Sequence, residues 1–402
     1  MRPLRSTISI TRAVSLALDA AEPIRRTERV GLDDAAGRVL ASRVAAPADV
    51  PPFARAAMDG YAVRAADTAA AAREAPRPLR CVGTVFTGMV SPRAVRPGEC
   101  IEIATGAPLP AGADAVVMVE ETERDPGGTV RFFSPVRPHQ NVSPRASDLA
   151  AGETVADAGE HVTPARLGAL AAAGQAEVDV YARPAVAILS TGNEVVEVGR
   201  PLQAAEIYDV NRHTLTAVVR MHGGDARVLP RAPDTLEALT ASLEAAAGSD
   251  LIVFSGGSSV GDRDLLLDAV AAAGEVIFHG IAVKPGKPTL LGRVRGRPLL
   301  GMPGNPTSCL SNAYLLLAPM LRRMGRLPAY RPQTLRVPLG RRIASAAGRH
   351  QFYTVRVSDG TAIPAFKSSG DITSMSRADG YIEIPADTPV VEAGEVVEVK
   401  LF

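Results

Sequence analysis

Residues 251–264 read LIVFSGGSSVGDRD: an apolar run of strand length, a glycine–serine turn, then two acids, Asp262 and Asp264. A short unbroken apolar run suits a strand buried on both faces. Glycines directly after such a strand let backbone N–H groups turn toward an oxyanion, and the positive end of a following helix adds to the attraction. A plain strand-to-helix turn explains the glycines but not the acidic pair, which suits a magnesium-bridged phosphate.

Working outward, residues 184–325 keep one rhythm. Strands are expected at 186–189, 227–229 and 276–278, and helices at 211–221, 235–247, 265–273 and 307–324. This alternation predicts a mainly parallel, doubly wound sheet with ligand sites beyond the carboxyl ends of its strands. Toward the N-terminus, apolar residues at 10, 13, 14, 17, 18 and 21 make a helical stripe that ends before Pro23. From Pro47 to Pro138 the Pro- and Gly-rich texture with short Val/Ile runs predicts a β-rich module. Thr163 as cap, Pro164 at the first helical position and Gly174 at the stop predict a further helix. Residues 330–402, short alternating runs punctuated by Gly and Pro, predict a small β-barrel or sandwich.

Composition narrows the function. The chain has 402 residues, 46% of them hydrophobic, enough for two to four domains at roughly 150 residues each. Lys plus Arg (44) and Asp plus Glu (43) leave a net charge of +1, which argues against nucleic acid or an anionic membrane as the main partner. Aromatics at 4% and no Trp leave little for base stacking. Three scattered cysteines without CxxC spacing fit a reducing, cytoplasmic setting rather than a disulfide framework or zinc site. No stretch approaches the roughly 18 apolar residues of a membrane span.

The basic residues are 40 Arg and four Lys, and two of those lysines fall in VKPGKP (283–288). Lys367 precedes Ser368-Ser369-Gly370. In a chain that writes Arg ten times as often, retained Lys marks places that need a compact point charge. GMPGNP (301–306) adds a second Pro/Gly frame at the start of the long helix, and STGNE (190–194) puts Glu194 at the carboxyl edge of the same sheet as Asp264. Two carboxylates facing a phosphate loop can hold Mg²⁺ or orient water. PPFARAAMDGYAV (51–63) and IATGAPLPAGADAVVM (103–118) read by mechanism alone as turns around Asp59 and Thr105-Gly106.

In this order and spacing, those strings, with IYDVN (207–211), GRHQF (348–352) and SSG (368–370), closely resemble the molybdopterin molybdenumtransferases, the MoeA family, which includes the gephyrin E domain. The resemblance runs through nearly the whole chain. It implies a multidomain α/β fold: an elongated N-terminal α/β domain (1–46 plus 139–180), an inserted β-rich domain (47–138), a doubly wound α/β molybdopterin-binding, adenylyltransferase-like domain (181–328) and a small C-terminal β-barrel (329–402). It implies insertion of molybdenum from molybdate into the dithiolene of adenylylated molybdopterin, with Mg²⁺ and release of AMP. The family's functional positions fall on Asp59, Thr105, Glu194, Asp264, Lys284, Arg349 and Ser369, with Glu194 and Asp264 as magnesium ligands. The glycine-rich turns expected around the pterin and phosphates are Ser255, Gly256, Gly257, Ser258, Gly261, then Pro285, Gly286, Lys287, then Pro303, Gly304, Asn305. A homodimer with composite sites is implied, as is transient contact with a molybdopterin adenylyltransferase and with acceptor molybdoenzymes. Adenylylation of molybdopterin, or a gephyrin-like scaffold, are the alternatives. Gly280 stands where many relatives carry a basic residue, which predicts weaker molybdate capture. Asp234 stands close to an expected acid in the turn at 231–234 and could substitute for it.

Overall fold

The computed structural model describes residues 7–256 and 265–402. The chain divides into two compact units: Met1–Glu28, Gly37–Val39 and Val180–Phe402 form the first, and Arg29–Ala36 with Leu40–Asp179 the second.

In the first unit, helix α1 (Ile10–Ala20) is followed by β1 (Ala185–Ser190), α2 (Val210–Met221), β2 (Asp225–Val228), α3 (Leu236–Ala245) and β3 (Leu251–Ser255). Next come α4 (Leu265–Ala273), β4 (Gly274–His279), β5 (Val283–Lys284), β6 (Leu290–Val294) and β7 (Arg297–Met302). The long helix α5 then runs through Pro306–Asn312, a π-helical turn at Ala313–Leu317, and Ala318–Met324. The central sheet has the order β2-β1-β3-β7-β6-β4. The first four strands are parallel, while β6 is antiparallel to both β7 and β4.

Five of the six strands therefore run the same way, the mainly parallel sheet that the alternation predicted, and β6 alone is reversed, which makes the sheet mixed. Arg295 (φ 48°) and Gly296 (φ 77°) are both left-handed, and Val294 pairs with Arg297 across them. That is the two-residue turn whose twist matches a hairpin. Its central pair, Arg-Gly, lacks the Asn or Asp that would announce such a turn, so β6 and β7 were hidden in the sequence.

Strand periodicity buries both faces. Val186 and Ile188 join α1, α2 and α5 in one core, while Ala187 and Leu189 join α3 and α4 in another. Ala13, Ala17 and Ala20 belong to the first core with Leu321 and Met324. Helix α1 packs on α5 within the first unit, where its small alanines let the two helices approach.

The C-terminal part adds β8 (Thr334–Pro338), β9 (His350–Ser358), β10 (Thr361–Pro364), β11 (Gly380–Ile384) and β12 (Val396–Leu401). Antiparallel pairing runs β10-β9-β11-β12-β8, and a bridge from Leu339 to Ala362 links the end of β8 back to β10. Its interior holds Val355, Ala362, Ile382 and Val399, all at 2% exposure or less.

The second unit carries a six-stranded sheet ordered Ala115–Met118, Gly60–Val63, Glu99–Ile103, Arg77–Val85, Thr129–Phe132, Thr122–Arg124. Apolar clusters cover it on both sides. The helix at Pro164–Ala172 begins as its sequence foretold, with the Thr163 side chain accepting from the Arg166 amide. Among the described residues no helix is long and apolar enough to cross a membrane.

Candidate functional site

A cavity of about 1000 Å³ opens beyond the carboxyl ends of β1, β3 and β7. That is where parallel α/β strands direct their loops. Every expected turn residue that is described lines it: Ser255 and Gly256 after β3, Pro285, Gly286 and Lys287 after β5, and Pro303, Gly304 and Asn305 after β7. Glu194, Lys284, Arg349 and Ser369 line it as well. Asp264, Gly257, Ser258 and Gly261 lie outside the described residues.

Three of the four lysines, Lys284, Lys287 and Lys367, thus face one cavity together with Arg349. Among the described residues three carboxylates, Glu194, Asp209 and Asp234, stand against these four cations. Two of the three are engaged with the protein. Asp209 caps α2, accepting from the Arg212 amide, and takes the Ser190 hydroxyl at 2.7 Å. Asp234 accepts from the Thr191 hydroxyl and, at 3.2 Å, from the Asn193 amide, so it ties its own turn to the 190–194 turn. The balance favours an anionic ligand.

Strand pairing explains how residues 65 positions apart in sequence become neighbours. β5 leaves the α/β loops and pairs in parallel with β9, Val283 against His350 and Lys284 against Gln351. Lys284 is therefore carried by a sheet of the C-terminal part, on the strand that pairs with the one Arg349 leads into. The loop with Ser369 is tied to the start of α5: Asn305 Nδ2 donates to Ser369 Oγ at 3.1 Å, and the Thr307 amide to the Ser369 carbonyl at 3.1 Å.

Several positions without an assigned role in the sequence hold this arrangement. Asn211, buried on α2, donates through Nδ2 to Ser255 Oγ at 2.8 Å and to the Gly304 carbonyl at 2.7 Å, joining two of the turns. Asn312, fully buried on α5, donates to the Gly286 carbonyl at 2.9 Å and to Thr289 Oγ1 at 2.6 Å. The signal available for Asn312 was an amide directly before the apolar run Ala313–Leu317, whereas Asn211 stands among Arg212, His213 and Thr214 and offered none. Gly256 has φ 102°, and a Cβ there would meet the Thr191 carbonyl oxygen at 2.6 Å, so only glycine fits this crossing.

Gly280, where many relatives carry a basic residue, is not among the cavity's lining residues, and its φ of 99° suits glycine. Gly280→Lys would test backbone strain more than molybdate capture.

Beneath Arg349, Glu383 on β11 accepts from His350 Nε2 at 2.7 Å and from Lys400 Nζ at 2.5 Å. Burial pushes this carboxyl up, but the His350 and Lys400 contacts outweigh it and bring the pKa down to about 2. A depressed carboxylate contributes stability above its ordinary value of 4.5 and loses it as pH falls toward 2. Glu383→Gln should therefore be less stable than wild type at pH 7 by on the order of 2 kcal/mol, with the gap closing below about pH 4.5. Urea midpoints followed by circular dichroism check this; a gap constant with pH would refute it.

In the second unit, Asp59 and Thr105 meet each other. The Thr105 amide and hydroxyl donate to Asp59 Oδ1 at 2.7 and 2.9 Å, and these bonds, the amide first, hold the exposed carboxyl below its usual range.

Three family models tile the chain: the MoeA N-terminal region (domain I and II) at residues 8–174, the "Probable molybdopterin binding domain" at 187–323, and the MoeA C-terminal region (domain IV) at 336–402. The molybdopterin molybdenumtransferase of Haemophilus influenzae is 33% identical over 385 residues, covering 94% of both chains. Molybdopterin molybdenumtransferase 2 of Mycobacterium tuberculosis is 36% identical over 409 residues, covering 98% of this chain and 99% of its own. The solved MoeA protein of Pyrococcus horikoshii OT3 superposes with a TM-score of 0.83 at 30% identity, covering 99% of this chain and all of that one.

Proposed function

The chain belongs to the MoeA family of molybdopterin molybdenumtransferases, and from that premise we propose how its residues carry out the reaction. It is an enzyme of molybdenum cofactor biosynthesis, with molybdate and adenylylated molybdopterin as substrates. The observation that carries the reading is the convergence of Lys284, Lys287, Lys367 and Arg349 on one cavity beyond the carboxyl ends of the central strands.

The turns at Ser255–Gly256 and Pro303–Asn305 receive the pterin and its phosphates. Gly256 and Gly304 face each other, with only 3.6 Å between a Cβ built on Gly304 and the Gly256 Cα, so backbone can approach the ligand closely. Lys284 and Arg349 supply charge to the molybdate dianion, one as a compact ammonium and one as a guanidinium fork, and Ser369 offers a hydroxyl. As the phosphoanhydride breaks, the cavity's cations stabilise negative charge developing on the departing AMP. Lys284 and Arg349 are pre-oriented by the β5–β9 pairing, which lowers the reorganisation needed when that charge appears.

Magnesium commonly binds through one or two carboxylates while phosphates and water complete its shell. Glu194 fits that mode. Among the described residues it is the cavity carboxylate with no side-chain hydrogen bond to protein, and its oxygens lie about 3 Å from a Cβ built on Gly192. Glu194, with Asp264, would hold the ion, which would supply charge neutralisation at the phosphoanhydride. The three free cysteines suit a reducing cytoplasm.

The direct test is incubation with adenylylated molybdopterin, Mg²⁺ and molybdate. AMP release that depends on molybdate supports the reading. Consumption of ATP with free molybdopterin would instead favour adenylylation, and binding without turnover a gephyrin-like scaffold.

We infer further that the active form is a homodimer in which Asp59 and Thr105 of one copy complete the cavity of the other; their mutual hydrogen bonds would fix an ionised carboxylate for that purpose. Asp59→Asn and Lys284→Ala should each be inactive alone. Refolded together they should regain up to about a quarter of wild-type AMP release, since half the dimers are mixed and each mixed dimer has one intact site. No recovery on mixing would refute the composite site. Delivery to acceptor molybdoenzymes, and receipt from an adenylyltransferase, would be transient contacts at the same cavity mouth.

A further inference from the structure

Cys81 and Cys100 play no part in the chemistry above. They lie on strands Arg77–Val85 and Glu99–Ile103 of the second unit, which run parallel, and the register sets Cys81 directly against Cys100. Residues paired across strands project to the same face. Both cysteines accordingly meet one apolar cluster, Cys100 fully buried within it and Cys81 half-buried at its margin. Paired strands run about 4.8 Å apart, inside the Cα separation of about 4.4–6.8 Å that a disulfide spans.

The two thiols have different surroundings. Arg124, on the strand Thr122–Arg124 of the same sheet, pairs with Glu102 at 2.8 Å, and the field of Cys81 is the first of the influences that raise its pKa. A partly exposed thiol beside a fixed positive charge is the setting of reactive cysteines. Cys100 is the reverse: burial, and then its neighbour Cys81, push its thiol far above the ordinary value. Cys309, the third cysteine, is buried in the first unit at the Ser255 hydroxyl.

We propose that Cys81 and Cys100 form a reversible modification site, closing to an intrachain disulfide when the protein meets hydrogen peroxide. Cys81 gives up its proton and its sulfur attacks a peroxide oxygen. The O–O bond breaks, the leaving oxygen departs as water, and Cys81 becomes a sulfenic acid. Cys100 sulfur then attacks Cys81 sulfur, the S–O bond breaks, and the Cys100 proton leaves with that oxygen as a second water. Two thiols are oxidised by two electrons and the peroxide is reduced to two waters; a dithiol reverses the change. Cytoplasmic disulfides of this transient kind are redox-responsive rather than structural.

The test treats the full-length protein with hydrogen peroxide, alkylates the remaining thiols and maps the peptides by mass spectrometry. The expected product is one peptide pair joined through Cys81 and Cys100, two hydrogens lighter than the reduced pair and separated by dithiothreitol. Cys81→Ser and Cys100→Ser should each abolish it, and Arg124→Gln should slow its formation by about three-fold or more. Accumulation of Cys81 as sulfinic acid while Cys100 stays alkylatable after unfolding would overturn the proposal. So would a cross-link that joins separate chains, or an unchanged rate in Arg124→Gln.

Discussion

Lys284→Ala is expected to lower molybdate-dependent AMP release by about 100-fold or more, the scale of removing one pre-oriented charge at a developing anion, while leaving the fold intact. The side chain is exposed into the cavity, so truncation uncovers no core. Its backbone stays held by the β5–β9 pairing, which does not involve the ammonium. Lys284→Arg should recover only part of the activity, because a planar fork cannot place charge where a compact ammonium sits. AMP quantified by chromatography, beside thermal melts of both variants, checks this. A loss under tenfold with an unchanged melt would show that Lys287, Lys367 and Arg349 suffice without it.

Asn312→Ala is expected to have the largest effect on stability, about 2–4 kcal/mol, from a lost buried side chain and two buried acceptors left with fewer donors. Asn312 Nδ2 is the clamp that reaches both the Gly286 carbonyl and Thr289 Oγ1 from within α5. It also explains Gly286, whose φ of 106° and a built Cβ only 2.4 Å from Asn312 Nδ2 leave no room for another residue. Because the clamp holds the loop that follows Lys284, the variant should lose activity at temperatures where it remains folded. Urea unfolding followed by circular dichroism gives the stability. A change below 1 kcal/mol would mean that the Thr289 hydroxyl, which donates to the Gly286 carbonyl at 2.8 Å, holds the loop alone.

Much of the fold was legible because local rules and the tertiary structure agree. The run at 251–255 is a central strand, Thr163 caps the helix it was expected to cap, and the stripe from residue 10 is a helix. What was missed had weak local signals. The β6–β7 hairpin turns on Arg-Gly, and β5 is two residues long, too short for any periodicity to reveal. Helix α1 was legible as a helix, but its packing on α5 was not, since a stripe shows that a face is buried and not what buries it.

The cavity divides the same way. Its chemistry could be read from residue types: glycine turns after buried strands, retained lysines in an arginine-rich chain, and an acid at the sheet edge. Its assembly could not. Lys284 and Arg349 line one cavity because β5 joins a sheet whose other strands begin some 50 residues later, and two buried asparagines bind the turns to helices far along the chain. From the sequence alone one could read which segments turn and which carry the cavity's charge, since turn geometry, strand periodicity and charge are properties of a few adjacent residues. Only the tertiary structure decided which of those groups share a space, which polar residues hold them there, and that Gly280 stands away from the lining. Those outcomes depend on strand register and on packing between distant segments, and neither is encoded within any short stretch of chain.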